Sequence, residues 1–308
     1  MGRKQGGSLF HQLGKAAGIM DDSGKIITGG HSYRTSRNYA NWLHRAADYF
    51  KSKGITRADQ IHRAEIQAYS DALQASGKYS PSTVHNYLAA LCRAAEVPLS
   101  SISKPIRAAS GFSRGSGGGS GKAYELNELV GLRRSELGQL RKEDLTVDGN
   151  GNMYVMVHRG KGGKSQKQYI LPENQESVRQ FFGAVGAGEK VLANDDFNGT
   201  SDYHAQRRKN AQKAYEYFSQ RISEGGEEYR KELYSELAGR AHAENKKNRS
   251  IEPYSHFDSP YTLRGANRAK AEAEGKPTEY NRLAVRAVSI LCLAHWRDNV
   301  TVEDYLLR

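Results

Sequence analysis

The chain is poor in cysteine: Cys92 and Cys292 are the two in 308 residues, and they stand 200 positions apart with no CxxC pair. That excludes a disulfide framework and a cysteine-built zinc site. Both thiols read as small apolar groups filling a core. Long apolar runs are also missing: no stretch approaches the ~18 consecutive apolar residues of a membrane helix, and mean hydropathy is -0.75. The opening MGRKQGGSLFHQLGKAAG has basic residues but not the apolar run of roughly 7–15 residues that defines a signal peptide. These absences predict a cytoplasmic protein. Nor is there a DxD or HExxH cluster of the kind that would hold a metal, so the expected metal set is none.

Basic residues are plentiful, 46 Lys and Arg against 34 Asp and Glu for a net charge of +12. Their distribution is uneven. Residues 1–120 hold 16 basic against 7 acidic residues, and residues 121–308 hold 30 against 27. An N-terminal module therefore carries most of the excess, which suits a polyanion such as nucleic acid; a basic solvated surface is the plainer alternative. Length alone suggests about two domains at roughly 150 residues each.

The seam is SGFSRGSGGGSG at residues 110–121, a Gly/Ser tract with no apolar face to bury. Expected boundaries are an N-terminal extension over 1–30, a helical domain over 31–109, a linker over 110–122 and a second domain over 123–308. In the first domain, Tyr39, Leu43, Ala46 and Phe50 recur at helical spacing within 33–54. A second helix is predicted from Arg57 to Ala75, with Thr56 as N-cap and Asp59 three residues on. A third follows SPST and ends at Val97-Pro98. Beyond the seam, residues 123–141 read as helix. Met153–His158 and Gln168–Leu171 read as strands joined by a glycine-rich hairpin. Residues 177–247 read as charged helix broken near ANDDFNGTSD and SEGGEE, and the last 50 residues as three helices. The fold class expected is mainly α with a small antiparallel sheet.

Four pieces stand out: GLRRSEL at 131–137, GKGGK at 160–164, YTLRGANR at 261–268 and AHWRDNVTVEDYL at 294–306. Singly, each has an ordinary reading as a basic helix start, a hairpin, a basic helix and a core helix. Together, in this order, they resemble the catalytic domain of the tyrosine recombinases, the phage integrase family, and with the N-terminal bundle included the resemblance spans about 265 residues. The resemblance implies a helical, SAM-like core-binding bundle followed by an α+β catalytic domain. It makes Arg133 the first catalytic arginine, Glu136 the carboxylate that orients it, and Arg264 the second arginine. Lys161 would be the hairpin lysine, with Lys164 a second candidate, and Tyr305 the nucleophile. Trp296, nine residues before Tyr305, matches the family's His-or-Trp position; His295 beside it supports the site. Tyr261 stands where the family has histidine. The hydrogen bond lost there would come from the phenol, or from His256 or His295.

These residue types suit phosphoryl transfer to a tyrosine. Two guanidinium groups can clamp the non-bridging oxygens of a pentacoordinate phosphorus and stay charged at any working pH. A lysine can protonate the 5′ leaving oxygen. A phenol with a pKa near 10 becomes a nucleophile only beside cations or a base. A phenol at position 261 can donate to a phosphate oxygen but cannot exchange a proton near neutrality, so Tyr261 would orient. The covalent 3′-phosphotyrosine keeps the bond's free energy, and no cofactor is implied. In the first domain the candidate DNA contacts are Arg34, Arg37 and Arg45, then Lys78, Ser80, Ser82, Thr83 and His85.

The resemblance implies a site-specific integrase of a phage or conjugative element, nucleoid-associated. Its partners would be double-stranded recombination sites, further copies of the chain (a dimer on one site, a tetramer in synapsis) and an accessory directionality factor. Two rivals share the motifs: a type IB topoisomerase-like enzyme acting as a monomer, and a DNA-binding protein that has lost catalysis.

Overall fold

The computed structural model describes residues 7–28, 30, 32–106, 118–160, 165–244 and 250–307. The chain divides into two compact units, Met1–Phe112 and Ser113–Arg308. Residues 107–117, which contain most of the Gly/Ser tract, lie outside the described residues.

The first unit is a helical bundle of α1 (Leu9–Ala16), α2 (Tyr33–Ser52), α3 (Arg63–Ala75) and α4 (Pro81–Ala94). Serines start three of them. Ser8, Ser32 and Ser80 accept from the backbone N–H of His11, Thr35 and Thr83 at 3.2–3.3 Å, and Pro81 sits at the first turn of α4, where its missing N–H costs nothing. Leu43, Phe50, Ile66, Leu88 and Leu91 fill the core. Leu9, Leu13 and Ile19 join it, so part of the expected 1–30 extension is a helix of the bundle, and Arg93 Nε ties it down by donating to the Ala17 carbonyl at 2.8 Å. The second helix begins later than the sequence predicts. Asp59 spends its carboxylate on Arg57 Nε at 3.0 Å, and Gln60 Oε1 accepts from the N–H groups of Thr56 and Arg57 instead. That closes a short 3-10 turn over Ala58–Gln60. A new start follows at His62, whose N–H donates to Glu65 at 2.9 Å.

The second unit is mostly helical, with two small antiparallel sheets. The helix expected over 123–141 is interrupted. α5 (Lys122–Val130) stops at Gly131, which is left-handed at φ 61°. A Cβ there would lie 2.7 Å from Asn210 Oδ1, so a side chain is excluded twice over. A short α6 (Arg134–Leu137) then begins. The sheet has three strands rather than two: β1 (Leu145–Val147), β2 (Met153–Val157) and β3 (Gln166–Tyr169), with Val155 opposite both Leu145 and Gln168. α7 (Gln175–Gly183) precedes the long α8 (Tyr203–Glu244), which is kinked at Gly226 within the expected SEGGEE break.

The last 50 residues hold more than three helices. A two-stranded pair, β4 (Tyr261–Thr262) and β5 (Glu279–Tyr280), brackets α9 (Gly265–Ala273). α10 (Arg282–Ala287) continues as a π-turn to Cys292, and α11 (Asp298–Val300) as a π-turn to Leu306. Both cysteines are free and buried. None of the helices among the described residues is long and apolar enough to cross a membrane.

Candidate active site

The break at Gly131 places Arg133 at the N-terminus of α6, where Glu136 can fold back on it. Arg133 N–H donates to Glu136 Oε2 at 2.9 Å and its Nη1 to Oε1 at 2.6 Å. Glu136 is 1 % exposed and Arg133 about a quarter exposed. The carboxylate is thus buried with both oxygens engaged, and the guanidinium is held in one orientation with an edge toward solvent.

Behind this pair lies Arg207 of α8, a buried arginine that the sequence reading did not single out. Its Nη1 donates to the Gly131 carbonyl at 2.6 Å and its Nη2 to the Leu293 carbonyl at 2.7 Å. Glu136 Oε2 is 3.9 Å away, and Tyr305 is an electrostatic neighbour, its ring 5.5 Å from that of His204, three residues earlier in α8. Burial pulls its pKa down from the usual arginine value; an arginine so placed still stays protonated in a protein. In the sequence, RRK within a polar helix looks like a solvated charge run. The sequence carries no signal for it: Gln206 and Asn210, which flank the run, are polar too and are buried with Arg207.

Tyr305 belongs to the C-terminal π-turn and is 5 % exposed. Its carbonyl accepts from Gln212 Nε2 at 3.1 Å, and its ring lies between those of His204 and His295, at centroid distances of 5.5 and 5.7 Å. His295 is driven down to a pKa of about 3, first by burial and then by the positive charges of Arg207, Arg297 and Arg133. Its imidazole is therefore neutral at physiological pH. Nδ1 accepts from Arg297 N–H at 3.3 Å, while Nε2 is buried without a hydrogen-bond partner. Trp296 has a left-handed backbone at φ 62°, as does Ala294 at φ 48°. Such a conformation costs a bulky residue roughly 1–3 kcal/mol. The turn aims His295 at Tyr305, while the indole packs on the apolar core of the unit.

The second box is assembled on β4 and the start of α9. Arg264 caps α9 and is exposed. Tyr261 faces Tyr280 across the strand pair. Its pKa is raised, chiefly by burial and then by Glu303 and Asp298, which brings this box beside the segment bearing Tyr305. Arg282 holds the stretch before it, donating to the carbonyls of Ser259 and Pro260 at 3.1 and 2.7 Å and to His256 Nε2 at 3.1 Å. His256 thus has one ring nitrogen committed to Arg282. Lys161 and Lys164 lie outside the described residues. The stem beneath them is fixed by His158, whose Nε2 meets Asp144 Oδ1 at 2.8 Å and whose carbonyl accepts from Ser165 Oγ at 2.8 Å.

In the first unit, Arg34, Arg37, Arg45 and Lys78 are exposed, and Ser82, Thr83 and His85 half-buried. Arg45 Nη1 donates to the Tyr79 hydroxyl at 3.3 Å, which brings α2 to the turn carrying Lys78. Ser80 and Thr83 are partly spent on capping α4.

Residues 25–92 match the family model described as the phage integrase N-terminal SAM-like domain. Two solved structures resemble the chain at 13 % identity. One is the XerH site-specific recombinase bound to palindromic difH substrate in a post-cleavage complex, with a TM-score of 0.46 over 67 % of this chain and 84 % of that one. The other is XerH bound to difH substrate in a pre-cleavage complex, with a TM-score of 0.42 over 68 % and 86 %. No curated protein matches the chain.

Proposed function

On the premise that residues 25–92 belong to the phage integrase SAM-like domain family, which supports placing the chain among the tyrosine recombinases, we propose that it is a site-specific DNA recombinase with Tyr305 as nucleophile. The observation that carries this reading is the cluster that joins three separate stretches of the second unit: Tyr305 beside His295, and buried Arg207 linking the Glu136-held Arg133 to the His295 turn through the Gly131 and Leu293 carbonyls.

In the step proposed, the Tyr305 oxygen bonds to phosphorus and the bond from phosphorus to the 5′ oxygen breaks. The 5′ oxygen leaves with the electron pair and takes a proton from Lys161. Arg133 and Arg264 neutralise the non-bridging oxygens. An imidazole with a pKa of about 3 is too weak a base to keep the phenolic proton, so that proton leaves to solvent and His295 acts as a hydrogen-bonding partner. Tyr261 orients. Attack of a 5′ hydroxyl reverses the step and rejoins the strand. Arg34, Arg37, Arg45 and Lys78 would hold backbone phosphates, with a steep salt dependence, while Ser82, Thr83 and His85 would add contacts at the start of α4. Two dimers, one on each site, would form the synaptic tetramer of an element's integration and excision, with a directionality factor choosing between them.

A nicked suicide substrate tests the enzymatic core. Wild-type protein is expected to give a covalent adduct on denaturing gels, and Tyr305→Phe none. No wild-type adduct, or an undiminished one from Tyr305→Phe, overturns the reading in favour of a DNA-binding protein without catalysis. Adduct formation on any duplex by a monomer would favour the topoisomerase-like rival.

A further inference from the structure

Arg207 is a buried cation of the candidate site that no motif assigns, and its surroundings are unusual for a structural arginine. It lies on α8 and is 1 % exposed. Burying a guanidinium is costly, and the Glu136 carboxylate at 3.9 Å is too far to offset that with a close ion pair. A well-packed apolar side chain of the same volume is often as stabilising in such a place. The two carbonyls it holds come from different parts of the unit. Gly131 lies two residues before Arg133, and Leu293 two residues before His295, at the start of the left-handed turn. A planar fork fixes two acceptors at a set angle, as a lysine ammonium on a flexible stem does not. The same helix packs against Tyr305: the Tyr305 ring lies 5.5 Å from that of His204, three residues before Arg207, and its carbonyl accepts from Gln212 at 3.1 Å.

We propose that Arg207 is a positioning residue for the transfer reaction. It clamps the Gly131 and Leu293 carbonyls so that Arg133 and His295 meet around Tyr305, and it holds a fixed positive charge against the Tyr305 oxygen as that oxygen loses its proton. The proposal rests on the reading of Tyr305 as nucleophile. A cation beside a phenol favours the phenolate, and one already fixed by the fold needs no reorganisation when the charge develops.

The test separates electrostatics from structure. 3-Fluorotyrosine placed at position 305 of the full chain reports that phenol's titration by fluorine NMR, independently of catalysis. Arg207→Met is expected to raise the midpoint by about 1 unit or more and to move the pH profile of adduct formation to higher pH by the same amount. Arg207→Lys, which keeps the charge and loses the fork, is expected to hold the midpoint near wild type yet slow adduct formation by ~10-fold or more through misplacement. Circular dichroism and binding to site DNA serve as controls. A wild-type adduct together with an unmoved midpoint in Arg207→Met overturns this proposal alone. No wild-type adduct overturns the nucleophile reading and this proposal with it. If Arg207→Met loses its helical signal, Arg207→Lys decides, and adduct formation within about twofold of wild type overturns the proposal.

Discussion

The two arginine boxes of the second unit are built in opposite ways. Around Arg133 the polar groups are buried and paired: Glu136 is closed in with both oxygens engaged, and Arg207 is committed to two carbonyls. Around Arg264 the cation is exposed at a helix N-terminus, and Arg282, not Arg264, fastens the adjoining strand. A group that must be aimed before substrate arrives is worth burying, because its geometry then comes from the fold. A group left facing solvent keeps its donors for a phosphate. The first box should therefore report on stability and activity together, the second on activity alone.

The sharpest way to break that comparison is to change one member of each. Glu136→Gln should destabilise the unit by about 3–5 kcal/mol, the scale for leaving a buried charge without its partner, seen as a drop in the urea midpoint. Arg264→Ala should leave the midpoint within about 0.5 kcal/mol, as for an ordinary surface change, yet abolish adduct formation. If Arg264→Ala proves the more destabilising, the contrast is wrong. Gly131→Ala comes next, at about 1–3 kcal/mol, because the left-handed backbone and the Asn210 contact both oppose a Cβ; a neutral result would mean that α5 can run on into α6.

His295 gives a pH signature. Its folded pKa of about 3 lies below the unfolded value near 6.5, so the unfolded chain binds more protons between those limits. Stability should rise with pH across that window, by at most about 1.4 kcal/mol per pH unit, and His295→Gln should flatten the slope. An unchanged slope would place the titration elsewhere. The smallest effect belongs to Tyr261. Tyr261→Phe should slow cleavage moderately and Tyr261→His should be tolerated; a Tyr261→Phe variant as inactive as Arg264→Ala would assign the phenol more than orientation.

What was legible in the sequence follows from how local each signal is. Ser32 and Ser80 mark helix starts because a cap acts over three residues, and α2 and α4 begin where the serines put them. Tyr305, Arg133 and Glu136 stand out in the sequence because their spacing is itself the motif, and in the structure Glu136 holds Arg133. Position 261 is legible as a departure, but not the strand pair it joins, since two residues carry no periodicity. The break at Gly131 was hidden because the helical pattern runs straight through GLRRSEL, and only Asn210, far along the chain, forbids its continuation. Arg207 was hidden for the same reason: a buried arginine differs from a solvated one only in its tertiary neighbours. The residue expected to act from the last box was Trp296, with His295 beside it. The left-handed turn sets the imidazole 5.7 Å from the Tyr305 ring and leaves the indole half-buried against the apolar cluster to which Tyr305 belongs, a placement set by backbone conformation rather than by spacing.

The central claim is that one tyrosine among the 18 in the chain takes the phosphate. Trapping the covalent complex on a suicide substrate, digesting both polymers and sequencing the nucleotide-bearing peptide by mass spectrometry tests it most directly. The account predicts a single modified peptide with the nucleotide on Tyr305; a nucleotide on any other residue would contradict it.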